Sequence, residues 1–213
     1  MRKMRGSGKM KRSPKKICSD CWSPVERKLK NGLEIAKAFL FCPILLILSR
    51  FGITPNMVTI FSAFLGVVSA IFVGINRTIS VLLLAGAVIG DGLDGAMARK
   101  TKNNDAKGSV TDCFYDQVVI TATTMAYAQA GMIRPAIAVY YGATYPILII
   151  FSIIRNRLGI PNHYVLRPRM IIYGLFTLYV FSGINVMNEA AGLFSMIFTG
   201  YIFNDFYTLK KRT

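Results

Sequence analysis

The 213-residue sequence is poor in histidine, cysteine and acidic residues. His163 is its only histidine, so imidazole metal sites and Ser-His-Asp catalysis have little support. Four cysteines include one C-x-x-C, Cys18 and Cys21, whereas a structural zinc site needs four ligands. Because the other two, Cys42 and Cys113, lie in apolar segments, we expect unpaired, reduced thiols.

Charged residues are also scarce, and most of them are basic. Charged residues make up 17% of the chain, against about a quarter in soluble domains, while 53% of residues are hydrophobic. Lys and Arg outnumber Asp and Glu by 26 to 10. A basic nucleic-acid-binding domain would share the net charge of +16 but not the long apolar runs, and a disordered chain would lack those runs too. Composition therefore predicts a membrane protein with no nucleic-acid partner.

The apolar runs divide the chain into three parts. Residues 1–32 form a basic arm that we expect to be disordered and cytoplasmic. Residues 33–53 have an uncharged core too short to span a bilayer and interrupted by Pro43, which favours an interfacial amphipathic helix. Residues 54–213 contain six longer apolar stretches, which predict an all-α domain of six transmembrane helices. These stretches are 55–75, 79–99, 109–131, 135–154, 170–184 and 190–208.

The distribution of basic residues predicts the orientation of the domain in the membrane. An even number of spans puts both termini on one side, and the connections on the other side carry only Arg77 and Arg134 of the 26 basic residues. The remaining 24 lie on the side of the termini, which the positive-inside rule makes cytoplasmic. We therefore expect an integral protein of the cell membrane or of an ER-type membrane, with both termini in the cytoplasm.

Four aspartates interrupt the apolar runs of the second and third spans: Asp91, Asp94, Asp112 and Asp116. Spacings of three and four residues put each pair on one helix face. The helices run antiparallel through a cytoplasmic loop, and the rise of about 1.5 Å per residue places the two pairs at matching depths of about 6–12 Å. The four carboxylates can therefore meet in a pocket open to the cytoplasm, and intramembrane acids are functional candidates.

Four such carboxylates need compensation by protonation, by pairing with Arg99 or by divalent cations. One arginine cannot balance four acids, and oxygen ligands without histidine or cysteine select hard ions such as Mg²⁺, Mn²⁺ or Ca²⁺. Two ions would neutralise the cluster and leave coordination positions for phosphate oxygens. The alternative is an ion-coupled transporter that uses the same carboxylates. Small residues at Gly95, Ala98 and Gly108 leave room for a ligand.

The acidic segment contains a specific motif. It reads Asp-Gly-Leu-Asp-Gly-Ala-Met-Ala-Arg over residues 91–99, then eight residues, then Gly-Ser-Val-Thr-Asp-Cys-Phe-Tyr-Asp over 108–116. This resembles the signature of the CDP-alcohol phosphotransferase (CDP-alcohol phosphatidyltransferase) family, and every defining position matches. Length, span number and the Thr-Pro-Asn-Met-Val-Thr stretch at 54–59 resemble the family as well, so that the resemblance covers about residues 35–210.

The resemblance implies an enzyme of phospholipid biosynthesis that transfers a phosphatidyl-type group from a CDP-linked lipid to an alcohol and releases CMP. It implies two Mg²⁺ or Mn²⁺ ions on the four aspartates named above, with Asp116 also the general base. The CDP-donor site would comprise Asp94, Gly95, Ala98, Arg99 and Gly108. The family also implies a homodimer.

The acceptor alcohol is less constrained by the sequence. The resemblance implies a CDP-diacylglycerol-type donor and a polar acceptor, since family members near this length usually use them. Basic residues between spans four and five suit a phosphorylated acceptor, glycerol 3-phosphate or inositol phosphate, because a guanidinium can bind phosphate through two parallel hydrogen bonds. Free inositol or serine is the alternative, and topology alone would also place arginines there. The candidate acceptor residues are Arg155, Arg157, Arg167 and Arg169.

Overall fold

The structure is a computed structural model that describes residues 44, 45, 48, 50–100, 106–162 and 167–211, apart from the side chains of 98–100 and 106–110. Within these residues the fold is all helical, with no strand, which confirms the predicted all-α class. The six long helices are α1 (Pro55–Phe72), α2 (Arg77–Lys100), α3 (Ala106–Gln129), α4 (Pro135–Arg157), α5 (Arg169–Ser182) and α6 (Met187–Lys210).

Helix ends lie within three residues of the predicted apolar stretches because local signals mark them. Thr54 caps α1, its hydroxyl accepting from the Met57 amide at 3.4 Å, and Pro55 occupies the first turn. Pro135 likewise begins α4. Gly183 ends α5 in the left-handed conformation, with a φ of 75° that favours glycine.

The basic arm predicted over residues 1–32, and most of the interfacial helix predicted over 33–53, lie outside the described residues. Residues 44, 45, 48 and 50 are helical. Leu45 is buried against Val58 of α1 and against Ala96 and Met97 of α2. This contact joins the segment before α1 to the ends of the first two helices, close to the acidic motif.

Three helices in the described part of the chain are long and apolar enough to cross a membrane: α1, residues 77–97 of α2, and α4. The 24-residue α3 and α6 reach about 36 Å, enough for a bilayer core of ~30 Å, but contain more polar residues. The apolar α5 has 14 residues. Large apolar side chains such as Phe64, Leu82 and Val139 are exposed on the outer surface. The chain is an all-α integral membrane protein, and membrane crossing by α3, α5 and α6 stays a prediction.

Two glycines allow α1 to approach its neighbours closely. A Cβ on Gly90 of α2 would lie 2.7 Å from the Ser62 Cβ of α1, and a Cβ on Gly66 of α1 would lie 2.5 Å from a methyl of Val119 in α3. Such distances are incompatible with any larger residue unless a helix moves. The first three helices therefore form one tightly packed unit, which carries the acidic motif.

The other helices pack mainly through aromatic residues. The rings of Tyr141 and Tyr145 in α4 lie 5.9 and 5.3 Å from Phe198 of α6, centroid to centroid. Tyr127 of α3 contacts Phe176 of α5 at 4.7 Å. The first two contacts join α4 to α6, and the third joins α3, which carries two of the motif acids, to α5.

The prediction that the cysteines are unpaired was wrong for Cys113. This buried residue of α3 is disulfide-bonded. Cys113 is the one cysteine within the described ranges, and the prediction for Cys18, Cys21 and Cys42 lies outside them. Sequence spacing does not show which distant cysteines come together in the fold, and an apolar neighbourhood does not exclude pairing.

Candidate active site

Three of the four motif carboxylates converge. One oxygen from each of Asp91, Asp112 and Asp116 lies within 4.8 Å of the other two. Asp91 belongs to α2, while Asp112 and Asp116 are one turn apart on α3, and all three side chains are partly exposed. The expected meeting of acids from consecutive antiparallel helices is therefore observed for these three residues.

Asp94 lies apart from this group. The residue is 6% exposed, and one carboxylate oxygen accepts a hydrogen bond from the Thr59 hydroxyl of α1 at 2.5 Å. The Thr59 hydroxyl also lies 3.2 Å from the Pro55 carbonyl oxygen. The role of Asp94 as a metal ligand stays a prediction. What sequence reasoning missed is Thr59 itself, although two polar residues, Thr59 and Ser62, three apart in the apolar α1, were a visible signal.

Arg169 supplies the positive charge next to the carboxylates. Its Nη2 donates to Asp91 Oδ2 at 2.8 Å, and its Nη1 donates to Asp116 Oδ1. One guanidinium at the start of α5 thus joins α2 to α3. Sequence reasoning considered Arg99 as the compensating arginine and assigned Arg169 to the acceptor, because a residue 53 positions from Asp116 gives no local pairing signal.

Thr59, the three converging carboxylates and Arg169 line a cavity between α1, α2, α3 and α5. Thr59 and Ser62 line it from α1, Asp91 from α2, the other two converging carboxylates and Tyr115 from α3, and Arg169 with Tyr173 from α5. Space between the helices amounts to about 340 Å³, including the part open to the outside. The polar part of the cavity is therefore the part lined by the acids, Arg169 and the hydroxyl groups.

The remaining donor-site candidates are less fully described. Gly95 is partly buried in α2, next to Asp94. Ala98 and Arg99 are helical at the end of α2, and Gly108 is helical in the first turns of α3, but the side chains at 98 and 99 lie outside the described part. The assignment of these residues to a CDP-donor site therefore stays a prediction.

The four candidate acceptor arginines have different environments. Arg155 is buried and forms an ion pair with Asp205 of α6 at 2.6 Å, and its Nε donates to the Ile160 carbonyl at 3.0 Å. Asn162 donates to the other Asp205 oxygen at 2.9 Å. Arg157 is exposed and Arg167 is partly exposed. Of the four, Arg169 is the one that lines the described cavity.

The donor chemistry of the carboxylate group fits a hard divalent cation. Its three ligand residues offer oxygen alone, and oxygen ligands suit Mg²⁺ and Mn²⁺. Carboxylates this close repel one another when they are ionised, and a divalent ion bound between them would relieve that repulsion. The residues therefore fit the metal requirement that the motif implies.

The matched family model agrees with the motif and the site. Residues 52–201, more than two thirds of the chain, match the model of the CDP-alcohol phosphatidyltransferases. The chain belongs to the CDP-alcohol phosphatidyltransferase family. The matched region includes α1–α5 and most of α6, and therefore all the residues of the cavity.

One relative of the chain is a protein of Aquifex aeolicus strain VF5 described as uncharacterized. The two sequences are 31% identical over 114 residues, which cover 51% of this chain and 56% of the relative. The match thus spans about half the length of each protein. No solved structure matches the chain.

Proposed function

We propose that this family member transfers a phosphatidyl-type group from a CDP-linked lipid, of the CDP-diacylglycerol type, to the hydroxyl of a phosphorylated polyol and releases CMP. The observation that carries the proposal is the convergence of Asp91, Asp112 and Asp116 with Arg169 in one cavity. Carboxylates suit metal-bound phosphate groups, and a guanidinium suits an anionic acceptor.

The converging carboxylates would hold divalent metal. Asp91, Asp112 and Asp116 are the ligands that the geometry supports, and Asp94 would join them for a second ion. When bound, Mg²⁺ or Mn²⁺ supplies positive charge for the diphosphate of the donor and for the departing CMP. The Thr59 hydroxyl fixes the orientation of one oxygen of Asp94.

The transfer would be a direct displacement at phosphorus. The acceptor hydroxyl oxygen forms a bond to the phosphatidyl phosphorus while the bond from that phosphorus to the bridging oxygen breaks, and CMP leaves with that oxygen. The hydroxyl proton goes to a carboxylate oxygen of Asp116, which is partly exposed at the cavity. Since Asp116 accepts from Arg169 in this structure, that oxygen becomes available when the guanidinium moves away.

The cytidine end of the donor would bind along the motif helices. Gly95 and Gly108 permit close approach to the backbone, and Ala98 is small enough not to block it. Arg99, one residue beyond, would add a fixed cation for the diphosphate. All four belong to the motif segment between residues 91 and 116.

A phosphorylated acceptor is favoured because Arg169 lies at the cavity. Arg157 is the last residue of α4 and Arg167 lies two residues before α5, and both would extend the basic surface for the acceptor phosphate. Arg155 has less freedom for this role, since Asp205 and the Ile160 carbonyl already accept from its guanidinium. Glycerol 3-phosphate and inositol phosphate are the acceptors of this class.

The site is proposed to face the cytoplasm, in a homodimer. Of the 26 basic residues, 24 are expected on the side of the α2–α3 connection and both termini, and two on the opposite side. The positive-inside rule makes the side with 24 cytoplasmic. Exposed apolar faces on the outer surface of the helices provide area for lipid and for a second copy of the chain.

The proposal is tested by following CMP release from purified protein in detergent. One CDP-diacylglycerol is supplied with Mg²⁺ or Mn²⁺ and, in turn, glycerol 3-phosphate, inositol phosphate, free inositol and serine. We expect release with a phosphorylated acceptor and its loss on chelation. Release with free inositol or serine alone would overturn the acceptor class, and ion flux in liposomes without CMP release would replace the transferase by a transporter.

Asp116→Asn tests the base. The substitution removes the proton acceptor, and we expect at least a hundredfold loss of CMP release, within the range of ~10²–10⁴ for general-base catalysis. Glu189→Gln, at an exposed acid in the first turn of α6, is the matched control and should keep full activity. Normal turnover by Asp116→Asn would exclude the assignment.

A further inference from the structure

In this structure a side chain of the protein, that of Arg169, supplies a positive charge to two of the carboxylates proposed as metal ligands. Arg169 uses Nη2 for Asp91 and Nη1 for Asp116, two carboxylates on different helices. Its side chain is 15% exposed, against 26% and 25% for the two acids. The guanidinium is therefore enclosed between the carboxylates at the cavity wall.

The oxygens that accept from Arg169 belong to the residues whose oxygens lie within 4.8 Å of one another. A divalent ion held by Asp91 and Asp116 needs lone pairs on those carboxylates, and the guanidinium already uses some of them. Two cations this close also repel each other. Metal and Arg169 consequently compete for the same two side chains.

We propose that Arg169 is an exchangeable cation, which neutralises the carboxylates until a divalent ion binds and then pairs with the anionic group of the acceptor. The second half rests on the proposed function, because it takes the acceptor to carry a phosphate. Arg169 begins α5 directly after Pro168, and its long side chain can leave the carboxylates without movement of the helix. The residue thus positions Asp116 and links metal binding to the acceptor.

The exchange has a thermodynamic consequence. A metal ion that displaces Arg169 leaves a desolvated guanidinium without its anions, and an acceptor phosphate supplies a new one. A phosphate bound first would, by the same reasoning, withdraw Arg169 from the carboxylates and favour the metal. Binding of metal and of acceptor is therefore mutually favourable, and reciprocity requires the same factor in both directions.

Mn²⁺ binding to the purified full chain tests the exchange without any donor lipid. Free Mn²⁺ is titrated by its electron paramagnetic resonance signal, alone, with glycerol 3-phosphate and with uncharged glycerol, after correction for Mn²⁺ bound by glycerol 3-phosphate itself. For the wild-type protein we expect glycerol 3-phosphate to tighten Mn²⁺ binding by about tenfold, within the usual range of coupling between sites, and glycerol to have no effect.

Arg169→Gln is the decisive variant. Without the competing guanidinium, Mn²⁺ should bind about tenfold more tightly than to the wild type, and the effect of glycerol 3-phosphate should disappear. Arg169→Lys, which retains the charge, should keep weaker Mn²⁺ binding and guards against a folding defect in the glutamine variant. Arg134→Gln removes an exposed charge before α4 and is the matched control, with unchanged Mn²⁺ affinity.

The exchange would be overturned if a folded Arg169→Gln protein bound Mn²⁺ as tightly as the wild type or more weakly. It would also be overturned if glycerol 3-phosphate tightened Mn²⁺ binding to this variant as much as it does for the wild type. Folding of each variant is checked by size-exclusion chromatography. Failure of the exchange is distinguishable from failure of the transferase proposal. If Mn²⁺ affinity changes in Arg169→Gln but no CMP is released, the transferase proposal fails and the exchange of Arg169 for metal stands. If CMP is released but Mn²⁺ affinity is the same in Arg169→Gln and the wild type, only the exchange fails.

Discussion

The Thr59 hydroxyl donates to the Asp94 carboxylate at 2.5 Å, joining α1 to the motif helix α2. Thr59→Val keeps the shape of the side chain but removes this donor, so that Asp94 loses its fixed orientation. A hydrogen bond to a charged group contributes about 1.5 kcal/mol, and we expect kcat/KM for CMP release to fall roughly tenfold. Thr59→Ser retains the hydroxyl and should stay near the wild type. Equal activity of the valine and serine variants would contradict the positioning role.

Close packing of α1 against α3 gives a second prediction. In Gly66→Ala the new methyl would lie 2.5 Å from one methyl of Val119 and 2.9 Å from the other. Overpacking of this kind costs about 1–3 kcal/mol, so the melting temperature in detergent should fall. Activity should fall as well, because displacement of α3 moves Asp116.

Two controls accompany Gly66→Ala. Gly174→Ala, in α5, adds a methyl where nothing lies within 4 Å and should raise stability by about 0.5–1 kcal/mol through helix propensity. Val119→Ala removes the clashing methyls, so combining it with Gly66→Ala should recover part of the lost stability. Additive losses in the double variant would show that the α1–α3 contact is not the cause.

Much of the fold could be predicted from the sequence because its signals are local. Apolar runs, Pro55, Pro135 and Gly183 determine the helix ends to within three residues. The acids of the motif could be placed together for the same reason: a spacing of three or four residues fixes a helix face, and a short connection makes α2 and α3 antiparallel. Asp91, Asp112 and Asp116 meet as this argument requires.

What the sequence could not show are the contacts between distant helices. Arg169 is 78 residues from Asp91, and Arg155 is 50 residues from Asp205, so neither pair leaves a periodic signal. Each arginine also fits the positive-inside rule, which offers a sufficient reason for its presence. Side-chain pairing across a bundle depends on helix rotation and spacing, which composition does not encode.

The buried ion pair between Arg155 and Asp205 predicts a strong effect on stability. Asp205 is fully buried, so Arg155→Met leaves an uncompensated charge inside the bundle and should cost about 3–5 kcal/mol. Asp205→Leu should be similarly harmful because it strands the guanidinium. The double variant Arg155→Met with Asp205→Leu should be more stable than either single one, as measured by thermal unfolding in detergent. Additive losses in that cycle would contradict direct coupling of the two residues.

Removal of the Tyr127 hydroxyl is predicted to raise stability, in contrast to the Arg155 and Asp205 variants. The residue is fully buried in α3, and within the described residues its oxygen has no hydrogen-bond partner. An unsatisfied buried hydroxyl costs about 1–3 kcal/mol, so Tyr127→Phe, which keeps the ring against Phe176, should raise the melting temperature. Tyr179→Phe is the matched control: its hydroxyl accepts from Arg77 at 3.2 Å, and its loss should bring no gain. A lower melting temperature for Tyr127→Phe would mean that the hydroxyl is satisfied, for which a bound water in the bundle is the simplest partner.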